Sequence, residues 1–424
     1  MTAPRKKVII VGTGFAGIRA ARGLSGSDLD VLLLDRTNYH LFQPLLYQVA
    51  TAGLEQEAIA YPIRAIIRGW ENVAFRRCEV TGISLERRRV ITNRGGFGYD
   101  YLILAGGSVT NYFGNAGIAS RAFDLKSLAD ADKLRNSILC AFEEALGEED
   151  RQRRRQLLTF VVVGGGPTGV EFAGALSELV QYALSKDYTS IKSSDSRVIL
   201  LEASASILTA MPERLQDYAL RKLHAMGVEV RCNTRVADAA QGEVRLSSGE
   251  VIASDTLFWS AGVKASPLAD KLECAKGAGG RIIVEPDLTI AGYGEVYVTG
   301  DMACCMDNGS VLPMMAPVAM QQGRHAARSI RVREAGDPAP VFRFVDKGAM
   351  ATIGRNSAVA SAHGFNVSGY IAWLAWLLLH LYYLIGFHNR IVVLLNWAWY
   401  YWFRERQISL ITSTSGQDRF KKSL

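Results

Sequence analysis

The sequence predicts an α/β protein with two Rossmann-like dinucleotide-binding domains and a C-terminal helical segment that associates with a membrane. Three observations support this prediction. A glycine-rich turn at residues 12–17 follows a run of β-branched residues, and the same pattern recurs at 164–169. A hydrophobic strand that ends in Ala-Gly also occurs twice, at 101–107 and 256–262. The most apolar stretch of the chain, 370–403, follows both copies.

Each glycine-rich turn has the spacing of a dinucleotide fingerprint. The first glycine permits a tight turn, the second lets the backbone approach a pyrophosphate, and the third allows close packing of the following helix. The pyrophosphate then rests on the positive end of that helix. The candidate residues of the two turns are Gly12, Gly14, Phe15, Ala16 and Gly17, and then Gly164, Gly166, Pro167, Thr168 and Gly169.

An acidic residue ends the second strand of each copy, Asp35 in the first and Glu202 in the second. A carboxylate at this position accepts hydrogen bonds from a ribose diol and repels the additional phosphate of NADP. The pair therefore favours FAD at one site and NADH at the other. One glycine-rich turn alone has the alternative explanation of tight packing, but two copies in register indicate a duplicated βαβ unit.

The ends of the later strands supply further candidates. Ala105 and Gly106 close the first copy, and Ala261 and Gly262 close the second. The strand around 296–299 should return to the first domain. There, the carboxylate of Asp301, next to Gly300, can accept hydrogen bonds from the polyhydroxyl chain of a flavin. The alternative is that Asp301 caps the next helix.

The predicted domains are an FAD-binding domain in two parts, an NADH-binding domain with a connecting helix, and a C-terminal membrane-associating region. Their boundaries are 1–115 and 271–345, 116–270, and 346–424, respectively. Within them we expect an irregular segment at 39–44, strands around Val80, Val90 and Leu102, a connecting helix at 127–146, and additional length in the second copy at 185–197.

The composition and charge of the chain favour a lipid surface over nucleic acid as its partner. The chain has 424 residues, 49% of them hydrophobic, and a formal net charge of +7. No nucleic-acid-binding motif accompanies this charge, so basic residues beside an apolar segment favour an anionic lipid surface. The basic residues near the C-terminus are Arg404, Arg406, Arg419, Lys421 and Lys422.

The six cysteines form no C-x-x-C pair and no zinc-binding spacing, so we expect neither disulfide chemistry nor a metal. The apolar run near the N-terminus, 8–11, merges with the first fingerprint. Cleavage of a signal peptide there would destroy the nucleotide site, which places the catalytic part in the cytoplasm.

Two apolar runs, 370–387 and 391–403, contain five of the seven tryptophans. Both are short for a membrane-spanning helix, which needs roughly 20 residues. Aromatic rings and flanking arginines favour helices that lie in the membrane interface. A buried helical hairpin or a dimer contact is the alternative, and a homodimer is compatible with either arrangement.

The chain resembles the two-dinucleotide-binding flavoproteins, and more closely the type II NADH dehydrogenases, the single-subunit NADH:quinone oxidoreductases of respiratory chains. The resemblance covers nearly the whole chain. It is most specific in the segments 39–53, 164–173, 300–301 and 347–354. It implies non-covalent FAD, NADH as reductant and a membrane quinone as oxidant. Electron transfer should not pump protons, because the chain offers no set of spanning helices to carry them.

The resemblance also implies site residues. Glu171 should lie near the nicotinamide and the flavin ring, although a glutamate in the first turn of a helix is also an ordinary stabilising choice. The family's quinone motif, Ala-Gln-x-Ala-x-Gln, corresponds to 316–321, where Pro317 replaces the first glutamine and removes one polar contact. Gln321 is the best head-group candidate and Lys347 a weaker one. The other predicted contacts of the cofactor are Arg36, Gln43, Val80, Ala316 and Val318.

Two rival functions remain open at this point. A sulfide:quinone reductase needs separated cysteines at the flavin, for which Cys140 and either Cys304 or Cys305 are candidates. A non-catalytic flavin-binding redox sensor would be reduced by NADH but not reoxidised by quinone. The favoured interpretation is a peripheral, monotopic enzyme on the cytoplasmic face of the inner membrane.

Overall fold

The computed structural model describes residues 4–307, 309–403 and 410–412. The basic residues Arg404, Arg406, Arg419, Lys421 and Lys422 lie outside these residues. The helices are α1 (Phe15–Leu24), α2 (Leu46–Ala50), α3 (Gln56–Ile59), α4 (Ile63–Ile66), α5 (Ala116–Arg121), α6 (Leu128–Gly147), α7 (Arg151–Leu157), α8 (Pro167–Glu178), α9 (Ser185–Asp187), α10 (Glu213–Ala225), α11 (Ala316–Glu334), α12 (Tyr370–Tyr383) and α13 (Phe387–Phe403).

The strands are β1 (Lys6–Val11), β2 (Leu29–Asp35), β3 (Tyr39–Leu41), β4 (Ala60–Pro62), β5 (Val73–Arg77), β6 (Val80–Ser84), β7 (Arg89–Thr92), β8 (Gly95–Gly98), β9 (Tyr101–Leu104), β10 (Ser108–Thr110), β11 (Thr159–Val163), β12 (Arg197–Leu201), β13 (Val228–Arg231), β14 (Val236–Ala240), β15 (Glu243–Leu246), β16 (Val251–Ala253), β17 (Thr256–Trp259), β18 (Val263–Ala265), β19 (Ile282–Ile283), β20 (Thr289–Ile290), β21 (Tyr293–Val298), β22 (Ala303–Cys304), β23 (Met306–Asp307), β24 (Ser310–Val311), β25 (Ala349–Gly354), β26 (Ser357–Ala362) and β27 (Phe365–Gly369).

The chain divides into two compact units, each assembled from three segments. Unit 1 comprises the described residues within Met1–Leu41, Ala60–Val109 and Val263–Asp346. Unit 2 comprises those within Phe42–Ile59, Thr110–Gly262 and Lys347–Leu424.

Unit 1 is built on a six-stranded sheet with the order β20-β21-β9-β1-β2-β5. The five strands from β21 to β5 are parallel, and β20 joins antiparallel to β21. The return strand β21 pairs with β9 in the register Val296↔Leu102, which confirms the predicted return to the first domain. Helices α1 and α11 pack closely, because Gly323 lies directly against the backbone of Ala16.

Unit 2 is built on a four-stranded parallel sheet with the order β13-β12-β11-β17. Two antiparallel sheets, β14-β15-β16 and β25-β26-β27, belong to the same unit. Helix α8 follows β11 and packs against β25, where Gly174 faces the backbone of Ile353. A side chain at Gly174 would overlap the Ile353 carbonyl oxygen, so glycine sets this close approach.

Most predicted elements of the two units are present. Strands β6, β7 and β9 lie where they were expected, and α6, at Leu128–Gly147, is the connecting helix. Its N-cap, Ser127, forms a capping box with Asp130. The segment predicted as irregular at 39–44 begins instead with β3, because it pairs with β4 across Tyr39↔Pro62.

The C-terminal apolar region forms α12 and α13. The break between them falls at 384–386, where Gly386 has a φ of +92°, so His388 and Arg390 lie inside α13 and not between the helices. Among the described residues, no helix combines the length and the apolar character needed to cross a bilayer.

Candidate functional site

The three glycines of the first turn, in unit 1, have different surroundings, which a Cβ added at each position reveals. Gly12 has a φ of +101°, and a Cβ there would overlap the carbonyl of Ala105. A Cβ at Gly17 would overlap the carbonyl oxygen of Gly12. At Gly14 it would meet no described heavy atom within 4 Å. The turn is thus closed on its packing sides and open above Gly14, as a pyrophosphate requires.

Asp35 ends β2 beside this turn. One carboxylate oxygen accepts hydrogen bonds from the backbone N–H of Thr13, at 2.7 Å, and from its hydroxyl, at 2.8 Å. The other accepts from the N–H and hydroxyl of Thr37, at 2.9 and 3.0 Å. A ribose diol at this position would therefore share the carboxylate with two threonine hydroxyls.

Phe15 and His40 pack edge to face at the start of α1, with ring centroids 5.3 Å apart. His40 is buried, and its Nδ1 lies 2.9 Å from the Thr13 carbonyl oxygen. Burial lowers the pKa of His40 below its ordinary value. The neutral His40 ring therefore contacts the backbone of the turn at Thr13 without adding charge to it.

Asp301 lies at the carboxyl end of β21 in the same unit. Its Oδ2 accepts a hydrogen bond from the hydroxyl of Ser108 at 2.6 Å. The residue before the short 3₁₀ helix Gly300–Met302 is Thr299, so Asp301 does not cap this helix. Gly300 has a φ of +68°, and its N–H donates to Oε1 of the buried Gln322 at 2.7 Å.

Ala105 and Gly106 follow β9, and the Gly106 N–H lies 3.1 Å from the sulfur of Met302. Val80 begins β6 of unit 1, and Arg36 is exposed immediately after β2. Gln43 groups with unit 2, where its side chain donates to the Lys126 carbonyl at 3.2 Å.

The residues of the quinone-motif segment begin α11. Ala316, Pro317 and Val318 form its first turn, in which a proline is tolerated because the first N–H groups lack helical partners. The amide group of Gln321 is engaged in unit 1: it donates to the Val345 carbonyl at 2.9 Å and accepts from the Val345 N–H at 3.0 Å. Lys347 is exposed and groups with unit 2.

The second glycine turn, in unit 2, repeats the first. Gly164 has a φ of +109° and faces the backbone of Ala261, and a Cβ at Gly169 would overlap the Gly164 carbonyl oxygen. At Gly166, a Cβ would meet no described heavy atom within 4 Å. Pro167 and Thr168 begin α8 and are exposed, so the positive end of this helix is accessible.

Glu202 follows β12 at the corresponding position. Its Oε2 accepts a hydrogen bond from the Gly165 N–H at 2.5 Å, and its Oε1 accepts from the Ser204 N–H at 2.7 Å. Each carboxylate oxygen thus retains accepting capacity toward a ribose diol. A Cβ at Gly262, after β17, would overlap the ring of Phe113 in the same unit.

Glu171 is the fifth residue of α8, which begins at Pro167, so the expectation that it occupies the first helical turn was wrong. The effect of the helix dipole fades beyond that turn, and the dipole does not explain this glutamate. The side chain instead faces β25, where the Thr352 N–H donates to its carboxyl at 3.2 Å. Burial raises the pKa of Glu171 to about 8, and the Thr352 N–H and the Trp376 indole oppose this rise.

Unit 2 also contains a cavity of about 1210 Å³, away from its glycine turn. Its lining includes Gln156, Ser254 and Asp255, which precede the amino ends of β11 and β17. Dinucleotides bind at the carboxyl ends of parallel strands, so this cavity is separate from the glycine turn.

Several residues that shape these sites were not identified from the sequence. Thr13 and Ser108 orient Asp35 and Asp301. Thr13 occupies an unspecified position of the first glycine turn, and Ser108 directly follows the segment 101–107 that closes the first copy. Trp376 lies within an apolar run four residues before His380, a spacing that places both on one helix face.

Comparisons with known proteins agree with a chain that contains two dinucleotide-binding turns. A model of the pyridine nucleotide-disulphide oxidoreductase family matches residues 6–323. The chain is 43% identical to the type II NADH:quinone oxidoreductase Ndh of Mycobacterium tuberculosis, over 93% of this chain and 88% of that protein. It is 31% identical to the type II NADH:quinone oxidoreductase of Staphylococcus haemolyticus, over 87% and 92%, respectively.

Solved structures support the fold. NDH2 from Plasmodium falciparum in complex with NADH matches with a TM-score of 0.88 and 18% identity, covering 97% of this chain and 100% of that one. The sulfide:quinone oxidoreductase from Aquifex aeolicus matches with a TM-score of 0.73 and 16% identity, covering 91% and 92%. The sequence relationship and the duplicated glycine turn lead to one assignment: the chain belongs to the type II NADH:quinone oxidoreductases, within the pyridine nucleotide-disulphide oxidoreductase family.

Proposed function

We propose that this protein transfers two electrons from NADH to a membrane quinone through non-covalently bound FAD, without pumping protons. The observation that carries the proposal is the repetition, in both units, of a glycine turn that is closed by packing and open above its second fingerprint glycine. Two such turns hold two dinucleotides. FAD supplies a ring that accepts hydride from NADH and returns electrons to the quinone.

Unit 1 holds FAD in this proposal. The turn receives the pyrophosphate, Asp35 receives the ribose, and Asp301 receives the polyhydroxyl chain, with Ser108 orienting its carboxylate. The other proposed contacts within unit 1 are Gly12, Gly14, Phe15, Ala16, Gly17, Arg36, Val80, Ala105, Gly106, Gly300, Ala316, Pro317 and Val318.

Unit 2 holds NADH, with Glu202 as the acceptor for the ribose diol. Its carboxylate has two backbone donors, which orient it, and it repels a 2′-phosphate. The other proposed contacts are Gly164, Gly166, Pro167, Thr168, Gly169, Ala261 and Gly262.

Glu171 supplies or relays a proton. With a pKa of about 8, its carboxyl is largely protonated at neutral pH and can donate a proton. Gln321 and Lys347 are the proposed contacts of the quinone head group. Because the Gln321 amide already bonds Val345, it would have to share that bond or exchange it.

The test is anaerobic reduction of the purified flavoprotein by NADH, NADPH or sulfide, followed by a short-chain quinone. Bleaching by NADH and recovery of the flavin colour with quinone are expected. Bleaching by sulfide alone would favour a sulfide:quinone reductase, although Cys140, Cys304 and Cys305 are all buried. Reduction without reoxidation by quinone would indicate a redox sensor.

We further propose that the outer faces of α12 and α13 rest on an anionic lipid surface at the cytoplasmic face of the inner membrane. Exposed apolar side chains on these helices support this placement, namely Ile371, Leu378, Tyr382, Phe387, Leu394, Leu395 and Trp402. Such a face suits the membrane interface. A homodimer and the domain boundaries at 115, 270 and 345 stay predictions.

A further inference from the structure

Phe113 is an exposed aromatic residue in an unfavourable backbone conformation. It lies in unit 2, in the segment 111–115 that leads into α5. Its φ is +52°, in the left-handed region that bulky L-residues rarely adopt. The residue is 66% exposed, so burial of the ring does not compensate for this conformation. The fold itself thus gives a phenylalanine little stabilisation at this position.

Hydrogen bonds hold the Phe113 backbone at the end of β17. The Phe113 N–H donates to Oδ1 of Asn111 at 2.9 Å. The Asn111 N–H donates in turn to the Gly262 carbonyl at 3.0 Å, and the Asn111 carbonyl accepts from the Trp259 indole N–H at 3.0 Å. Asn111 thereby ties Phe113 to the carboxyl end of this strand.

The Phe113 ring lies beside the second glycine turn. A Cβ at Gly262 would lie 2.8 Å from Cζ of Phe113, so the edge of the ring covers this glycine. The preceding residue, Ala261, packs its backbone against Gly164, the first glycine of the turn. The ring and the turn are therefore neighbours at the carboxyl ends of β11 and β17, which is where dinucleotides bind.

The strand order of unit 2 decides which half of a dinucleotide would reach Phe113. That order is β13-β12-β11-β17. In the proposed function, Glu202 after β12 receives the adenosine ribose, and the turn after β11 receives the pyrophosphate. The nicotinamide nucleotide half then continues toward β17, the strand to which Phe113 is tied.

We propose that Phe113 is a binding residue for NADH, and that its exposed ring packs against the nicotinamide nucleotide half of the coenzyme. This inference rests on the proposed NADH site of unit 2 and adds a contact that lies outside the fingerprint. An aromatic ring suits this half, because the nicotinamide ring and its ribose each offer an apolar face. Since Asn111 already holds the Phe113 backbone, little ordering is needed when NADH binds.

The test uses the full-length holoenzyme and the substitution Phe113→Ala, which removes the ring. Stopped-flow reduction of the flavin at increasing NADH concentrations gives the Kd of NADH separately from the limiting rate of reduction. This Kd should rise roughly tenfold. Calorimetric titration with ADP, which lacks the nicotinamide half, should give an unchanged Kd. Phe113→Tyr keeps a ring and should retain the original Kd for NADH.

Phe365→Ala is the matched control, because Phe365 is 77% exposed on β27 of the same unit, and it should change neither constant. The inference would be overturned if Phe113→Ala left the Kd of NADH unchanged or raised the Kd of ADP equally. An equal rise in Phe113→Tyr or in Phe365→Ala would also overturn it. If Phe113→Ala does not fold, Phe113→Leu removes the ring while keeping an apolar side chain, and the same constants decide.

Glu202→Gln separates this inference from the proposed NADH site, because ADP carries the ribose that Glu202 is proposed to bind. An unchanged Kd for ADP in Glu202→Gln would refute that site. A raised Kd for ADP in Glu202→Gln, together with an unchanged Kd for NADH in Phe113→Ala, would refute the role of Phe113 alone.

Discussion

Gly165 and Glu202 are joined by a hydrogen bond in which the backbone N–H of the glycine turn donates to the carboxylate after the next strand. The turn and the acid are thus one structural unit, even though 36 other residues separate them in the sequence. A side chain at Gly165 would contact Glu202 and Ile207. The carboxylate is therefore oriented before any nucleotide arrives, which reduces the ordering cost of binding.

Glu202→Gln should weaken NADH binding and leave flavin retention unchanged. A hydrogen bond to a charged group contributes about 1.5–3 kcal/mol, so the KM for NADH should rise roughly tenfold to a hundredfold. Steady-state kinetics and the flavin content of the purified protein measure the two effects. Glu243→Gln, whose ion pair with Arg245 is exposed, is the control. An unchanged KM would remove Glu202 from the nucleotide site.

Gly174→Ala should destabilise the protein, because the added methyl group would overlap the Ile353 carbonyl oxygen where α8 meets β25. The expected cost is about 2–3 kcal/mol, seen as a fall of several degrees in Tm. Thermal unfolding of the holoenzyme provides the measurement. Gly147→Ala, at the end of α6 with no described atom within 4 Å of the new methyl group, should change Tm little. Equal Tm values for the two variants would contradict the close approach.

Glu171 should make folding stability depend on pH. Its pKa is about 8 in the folded protein, against roughly 4.3 when unfolded, so the folded state holds an additional proton between these values. Raising the pH through this window therefore weakens folding. Glu171→Gln lacks the titration, and its Tm should increase relative to the unsubstituted protein as the pH rises from about 5 to about 8.

The exposed Glu149 offers a control for this pH dependence, since Glu149→Gln should follow the unsubstituted protein. A constant Tm difference between Glu171→Gln and the unsubstituted protein across the window would show that the Glu171 carboxyl titrates at its ordinary pH.

The outer faces of α12 and α13 should bind anionic vesicles. Leu378 and Leu395 are 69% and 62% exposed, so changing both to aspartate removes apolar contact with lipid without disturbing the core. Vesicle cosedimentation should show at least a roughly tenfold loss of affinity. Flavin reduction by NADH in solution should persist. Val251→Asp, at a site 50% exposed on β16, is the control, and equal binding by both variants would refute the lipid surface.

The sequence predicted the parts of the site that depend on local geometry. The φ values of Gly12 and Gly164 and the open space at Gly14 and Gly166 follow from the fingerprint spacing. The return of β21 to the sheet of unit 1 was also predicted, because its hydrophobic run precedes Gly-Asp at the end of a strand.

Other features could not be predicted in this way. The amide of Gln321 bonds the backbone of Val345, a contact that the sequence did not predict. Glu171 was expected in the first turn of a helix, but it is the fifth residue of α8, and the Thr352 N–H donates to its carboxyl. Each of these partners is distant in sequence, and no local pattern encodes the contact.

The sequence alone determined that two dinucleotide turns exist, where each begins and which acid follows it, because backbone sterics and strand–turn–helix spacing act over a few residues. Only the tertiary structure decided that burial raises the pKa of the Glu171 carboxyl, that Trp376 is buried and that the opposite side of α12 is exposed. These properties depend on desolvation and on donors from separate elements, which exist only after the chain has packed.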